Sequence, residues 1–343
     1  MIKSLEISGF KSINYAKINL SNFTLLAGAN SMGKTTVIQS IFALLQSGNN
    51  PFRGEYMNIG KFNELITLAT DSNEINFKMQ YEVDTQIKEY SKCIVKEGVK
   101  ESRGEIQNFR VIYCSAERVG VKDTYEKYLD DEIHIGKNCE YVFHYLAEHK
   151  DVSLDMETDF IYDSDSKYTF GGQVDYWLNK ISGYRIKASE IEKTEFIQVL
   201  YTKDRMNFEM RPKNVGTGIT YIAELIIAAL ACRTGDLLII ENPEIHLHPS
   251  GQAEMVNFLA CLAQHGIQII VETHSDHVYN GIRRCICQDE IERKNVSIYF
   301  FKQDDRNCSV PVNIKLNDDG KALIQADGFF DQINKDLDII LGW

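Results

Sequence analysis

TLLAGANSMGKTTVIQ, residues 24–39, is the stretch on which the fold turns. Its centre, Gly28 to Thr35, matches GxxxxGK[ST] at every fixed position. The flanks agree: TLLA reads as a buried strand, and KTTVIQSIFALLQ (34–46) carries apolar residues at helical spacing. Glycines let such a loop curl so that successive N–H groups face phosphate oxygens, and the following helix adds its positive dipole end. The pattern predicts a nucleoside triphosphate held by Gly28, Asn30, Ser31, Met32, Gly33, Lys34, Thr35 and Thr36. Lys34 would supply a point charge to the β- and γ-phosphates, and the Thr35 hydroxyl would ligate Mg²⁺.

A loop of this kind needs an acid at the end of a neighbouring strand. In IIENPEIHLHPS (239–250) a run of aliphatics ends in Glu241, which is therefore read as the second Mg²⁺ residue. Glu244, His246 and His248 follow at every second position and would share one side of an extended segment. An HxH pair can bind zinc, but no further ligand with recognisable spacing follows, and structural hydrogen bonding around the Pro249 turn is the plainer reading. Upstream, KNVGTGITYIAELIIAAL sets Gly216, Thr217, Gly218 and Thr220 at a helix start, a second anion-binding terminus. Downstream, VETHSDH puts His274 just past the next strand, within reach of a γ-phosphate.

The 343 residues suffice for one large or two ordinary domains, and 44% apolar with 25% charged residues is a globular composition. The longest apolar-rich stretch, ITYIAELIIAALAC (219–232), contains Glu224 and is too short to cross a bilayer; the N-terminus lacks the apolar core of a secretory signal. A soluble cytoplasmic chain is expected, its eight scattered cysteines reduced and mostly buried. A net charge of −12 argues against a uniformly basic DNA-binding protein but leaves room for a local basic groove.

Strands are expected at IKSLEI, AKINL, TLLAG, NFKMQYEV, FRVIYCSAER (109–118), LLIIE (237–241), IQIIVET (267–273) and VSIYFFK (296–302). Helices are expected at 34–46, 219–232 and 250–265. This alternation predicts an α/β fold with a mostly parallel sheet and an antiparallel β portion. The chain divides into 1–118 with the phosphate loop, an acidic and aromatic inserted lobe at 119–190 that is partly helical, and 191–343.

The order of phosphate loop, glycine turn, strand acid and histidine resembles the P-loop ABC-type ATPase head of the SMC, RecF and OLD-like families. It is most similar to compact prokaryotic AAA-family ATPases of the OLD-like group. Phe10-Lys11-Ser12, Asn58 to Phe62, Tyr113 to Arg118, the HLHP and THS segments and the closing ADGFFDQINKDL carry the likeness. Only the 119–190 lobe is poorly covered. The resemblance implies a head-to-head homodimer or higher homo-oligomer. ATP would be clamped between the loop of one copy and Gly216, Thr217, Gly218 and Thr220 of the other.

One departure matters. Where such heads end the strand Asp-Glu, this chain has Glu241-Asn242, and an amide cannot accept a proton as a general base. Glu241, Glu244 or His274 would then position the attacking water, with slow turnover. Three functions remain open. The first is a regulatory ATPase acting on a separate effector, a nuclease or toxin in antiphage defence. The second is a DNA-repair or chromosome-structure ATPase that grips nucleic acid directly. The third is a scaffold clamped by ATP without hydrolysis.

Overall fold

The computed structural model describes the chain except residues 70–71, 131–133, 137, 155–167, 205, 207, 324–329, 331 and 342–343, with only the backbone described at 332–335 and 338. The chain opens with the antiparallel hairpin β1 (Ile2–Phe10) and β2 (Ile13–Asn19). Strand β3 (Phe23–Gly28) then leads through the phosphate loop into helix α1 (Lys34–Leu45). A short helix α2 (Phe62–Leu65) precedes the meander β4 (Ile75–Val83), β5 (Gln86–Val95) and β6 (Gly98–Arg103). These outer strands form a five-stranded antiparallel sheet in the order β2-β1-β4-β5-β6.

Strand β7 (Val111–Cys114) returns to the second sheet. The inserted lobe follows: β8 (Tyr125–Glu126), α3 (Val142–His149), α4 (Phe170–Ser182), β9 (Tyr184–Glu190) and β10 (Phe196–Lys203). Strand–helix alternation then runs through α5 (Thr217–Leu230), β11 (Leu237–Glu241), α6 (Pro249–Gln264), β12 (Gln268–Thr273), α7 (Asp276–Cys287) and β13 (Val296–Gln303). Strand β14 (Ser309–Asn313) and helix α8 (Gln332–Leu341) close the chain.

The second sheet has the order β14-β13-β3-β12-β11-β7, parallel throughout except for the edge strand β14. The expected α/β fold, with a largely parallel sheet beside an antiparallel one, is what the chain forms. Strands β3, β11 and β12 are buried at every residue because they are covered on both faces. In β11, Leu238 and Ile240 face the core under the helices, whereas Leu237 and Ile239 face the core around α1 and the outer sheet. Helix α1 thus lies between the two sheets, its Val37, Ile38, Ile41 and Phe42 buried there. The buried Lys92 of β5 donates to the carbonyls of Ala43 and Gln46 at 2.9 and 2.6 Å, capping the end of α1.

Two expectations need correction. The strand expected at 109–118 narrows to β7, since the chain turns after Cys114 to bring Ala116 and Arg118 against the end of β11. The lobe does not stop at 190: β10 lies between β8 and β9 in a three-stranded sheet, so that boundary would cut the β9–β10 pair. A turn follows β11, with Asn242 and His246 at left-handed φ of 45° and 59°, so Glu244, His246 and His248 do not line one side of an extended segment. Part of the lobe (155–167) and of the closing segment (326–329 and 331) lies outside the described residues.

Candidate nucleotide site

Strand β3 delivers the loop at Gly28, and α1 takes it up at Lys34. Gly33 sits at φ 92°, and a Cβ there would fall 2.7 Å from Ser309 Oγ, so both conformation and space require glycine. Ser309 is fixed in turn: its N–H donates to the Ser12 carbonyl, and the two hydroxyls bond, each at 2.7 Å. Among the described residues no side chain caps the N-terminus of α1, and no acid occupies its first turn. Its amides are left for an anion. Asn30 and Ser31 of the loop are exposed, Met32 is half-buried and Thr36 is buried.

Lys34 is buried, and its ammonium donates to the carbonyls of Gly28 and Ala29 at 2.9 and 2.8 Å. Burial pulls its pKa below the ordinary lysine value, while Glu272 and Glu244 hold it up. The Thr35 hydroxyl donates to Glu272 Oε1 at 2.9 Å, and Lys34 Nζ stands 4.0 Å from the same oxygen. The acid that touches the phosphate loop is Glu272 of β12, the strand beside β3, while Glu241 ends β11 one strand farther out. Burial first, and then the neighbouring Glu241, push the Glu272 carboxyl up to about 7.

Glu241 has both carboxylate oxygens engaged: Oε1 accepts from the Tyr113 hydroxyl at 2.8 Å and Oε2 from the Ala116 N–H at 3.1 Å. Burial and Glu241 raise the Tyr113 pKa, which keeps that phenol a donor. Arg118 braces the turn that follows, donating to the carbonyls of Glu241 at 2.9 Å and Asn242 at 3.2 Å. Its guanidinium also lies over the Tyr221 ring of α5, 5.6 Å from the centroid. Glu244 Oε1 accepts the His274 N–H at 2.8 Å. Burial and Lys34 lower the His274 pKa, with Glu244 and a bond to the Gly28 backbone opposing them. Loop, Glu244 and His274 thus meet in one place.

Asn242, Glu244 and Glu272 each keep one side-chain oxygen buried without a partner among the described residues. Such orphaned oxygens are costly unless a ligand reaches them. A hydroxyl and carboxylates form a hard-oxygen donor set of the kind Mg²⁺ takes.

At the start of α5, Gly216 and Thr217 are exposed, but Gly218 is packed so that a Cβ would come 2.3 Å from the His246 carbonyl. Thr220 does not share that surface: it is fully buried, and its hydroxyl meets the Tyr201 hydroxyl at 3.3 Å. His248 caps α6, its Nδ1 accepting from the Ser250 N–H. Among the described residues, the group of three whose ligand atoms lie close enough to hold a metal ion is His144, Glu148 and Glu190, and it does not include Glu244, His246 or His248.

A profile described as "AAA ATPase domain" matches residues 1–199 and 156–279. The chain belongs to this AAA ATPase domain family. Residues 291–340 match a second profile, a protein family of unknown function designated DUF3696. A search among curated proteins found no match.

Solved structures similar to this AAA ATPase include an SMC head bound to the C-terminal winged-helix domain of ScpA. It is 14% identical, with a TM-score of 0.61 over 92% of this chain and 98% of that one. An SMC head with an extended coiled coil from Pyrococcus furiosus, bound to the C-terminal domain of ScpA, gives 12% identity and 0.56 over 99% of both chains. The SMC head domain of Thermotoga maritima gives 11% identity and 0.53 over 92% and 99%. At such identities the likeness is one of fold. It agrees with the expected ATPase head, and the family's description implies that the chain binds a nucleotide.

Sequence reasoning passed over Glu272, Tyr113 as a partner of Glu241, and the bracing role of Arg118. The first carried a visible signal: QIIVE ends an aliphatic strand in an acid just as LLIIE does. Tyr113 and Arg118 become partners of the β11 end only through the pairing of β7 with β11.

Proposed function

We propose that this AAA ATPase is a nucleotide-driven switch. ATP binds the phosphate loop of one copy, the turn at Gly216, Thr217 and Gly218 of a second copy closes over it, and hydrolysis releases the pair. The observation that carries the reading is the convergence of Lys34, Thr35, Glu272, Glu244 and His274 on one loop. Exposure of Gly216 and Thr217 at the uncapped start of α5 supports the trans contact, because those amides are free to meet a phosphate. Thr220 belongs to the core that supports this turn.

Binding and catalysis divide among the chain's own groups. Loop amides and Lys34, turned from its carbonyls, neutralise the phosphates. Mg²⁺, when bound, would offset charge on the β- and γ-phosphate oxygens. Asn242 cannot take a proton. Glu244 is the better acceptor for the attacking water: one oxygen is fixed by the His274 N–H and the other is unbonded. Glu241, tied to Tyr113 and Ala116, orients the turn that carries Glu244. Without an acid at Asn242, turnover is slow, which suits a switch acting on a separate effector, a nuclease or toxin in antiphage defence.

The dimer is tested by measuring solution mass with ATP and Mg²⁺, using Lys34→Ala to hold off hydrolysis and binding alike and Thr217→Arg to block the trans surface. Wild type should double its mass on adding ATP, and Thr217→Arg should bind nucleotide yet stay single. Doubling that persists in Thr217→Arg would refute the trans contact.

A further inference from the structure

Two buried thiols take no part in the nucleotide chemistry. The sulfurs of Cys114 and Cys139 lie 3.4 Å apart, with the Cys139 S–H donating to Cys114. Among the described residues no other two cysteine sulfurs bond each other. We propose that Cys114 and Cys139 form an oxidation site, at which a hydroperoxide closes a reversible disulfide between the lobe and strand β7. From 3.4 Å the sulfurs need to approach by only about 1.4 Å to reach disulfide length.

The two thiols are not equivalent. The Cys139 S–H holds the Cys114 pKa down against burial, and the Arg118 guanidinium adds to it, whereas the Cys139 pKa is pushed up. Cys114 is therefore the sulfur that attacks as thiolate, and Cys139 the one that resolves. In the first step the Cys114 sulfur forms an S–O bond as the O–O bond breaks. The hydroxide that departs from hydrogen peroxide takes the thiol proton and leaves as water. In the second step the Cys139 sulfur attacks the sulfenic sulfur of Cys114. The S–S bond forms, the S–O bond breaks, and the hydroxyl leaves with the Cys139 proton as a second water. Two thiols are oxidised and one peroxide is reduced, so the balance needs no other reactant.

The chain sets what such a bond would join. Cys114 is the last residue of β7, opposite Ile240 of β11, and stands two residues before Ala116, whose N–H donates to Glu241. Cys139 sits at a left-handed φ of 61° in the turn that leads into α3, between the half-buried Asn138 and Glu140. The neighbouring residues pair in the same way, for the Ser115 hydroxyl donates to Asn138 Oδ1 at 2.7 Å. That turn is held to the end of β7 by this hydrogen bond and the weak S–H contact, and a small oxidant reaches the sulfurs when it lifts. A disulfide would replace the weak contact with a covalent one between residues 25 apart in sequence. The lobe would then be fixed beside the turn that holds Glu241.

The test treats the full chain with hydrogen peroxide, alkylates the remaining thiols after unfolding, and maps the peptides by mass spectrometry, with a thermal melt of the same samples. Treated wild type should yield a peptide pair joined through Cys114 and Cys139, lighter than the two free peptides by two hydrogens and separated by dithiothreitol. Its melt should rise by about 2 °C or more, the direction expected when a link closes a loop of this size, and fall back on reduction. In Cys139→Ala the melt should not respond to peroxide, and a rise there would overturn the assignment. Recovery of Cys114 and Cys139 as free thiols while the exposed Cys287 is oxidised would overturn the site. A joined pair that leaves the melt unmoved would overturn the tie between lobe and strand. Should Cys139→Ala fail to fold, the wild-type map and melt, with and without dithiothreitol, decide alone.

Discussion

At the scale of single residues, the site is built from acids placed where water is scarce, and each is held by a different device. Glu241 is bonded at both oxygens, Glu244 at one, and Glu272 at one, beside an ammonium. Asn242 occupies a left-handed φ of 45°, a conformation asparagine adopts more readily than glutamate, so the turn geometry itself disfavours a longer acid there. A fourth acid, Glu224 of α5, is fully buried, accepts the Gly120 N–H at 2.8 Å and is pushed up to about 8 by burial. A folded-state pKa raised above the unfolded one contributes stability that is complete below the ordinary glutamate range and is lost as pH rises towards and through about 8. Glu224→Gln keeps the acceptor and removes the ionisation. Melting curves should show the variant gaining on wild type between pH 5 and pH 8, about the window between the two pKa values; parallel curves would contradict the burial argument.

At the scale of elements, α1 shows how neighbouring pieces complete one another. Its start is left open for phosphate, and its end is closed from the other sheet by Lys92, whose pKa burial lowers to about 8. Lys92→Met would strand the carbonyls of Ala43 and Gln46 and should cost about 1–3 kcal/mol in denaturant unfolding, the range for unsatisfied buried polar groups. Much of this architecture could be read in advance. Aliphatic runs marked β3, β11, β12 and β13 because strands covered on both faces lose their polar alternation, and Gly28 to Thr35 announced the loop by its fixed spacing. The surface hairpin β5–β6 was not anticipated, for QIKEYSKC is mostly polar and its pairing partners are supplied by β4. Helix α7 was missed for a related reason, its apolar residues spaced among Asp276, His277, Asn280, Arg283 and Arg284. Within the site, Lys34, Thr35, Glu244 and His274 were legible from order alone. Glu272 escaped because a single acid was sought, and Thr220 was misplaced because a helix start does not reveal which face its fourth residue turns inward.

At the scale of the molecule, the two cores meet across one sheet, with the phosphate loop at the end of its central strand β3 and the lobe packed on the far side. Helix α5 joins these parts. It begins at the exposed Gly216–Thr217 turn, seats Gly218 against His246, carries Tyr221 beneath Arg118, and reaches Gly120 at the mouth of the lobe through Glu224. Closure of a second copy on that turn would therefore bear on the lobe through a single rigid element, the coupling a switch requires. The central claim remains that the Lys34 loop hydrolyses ATP although Asn242 cannot act as a base. The direct measurement is phosphate release by the purified chain with ATP and Mg²⁺, against Lys34→Ala as the blank. Slow release that vanishes in Lys34→Ala is the expected result; tight ATP binding with no release above the blank would contradict hydrolysis by this chain and leave ATP as a clamp.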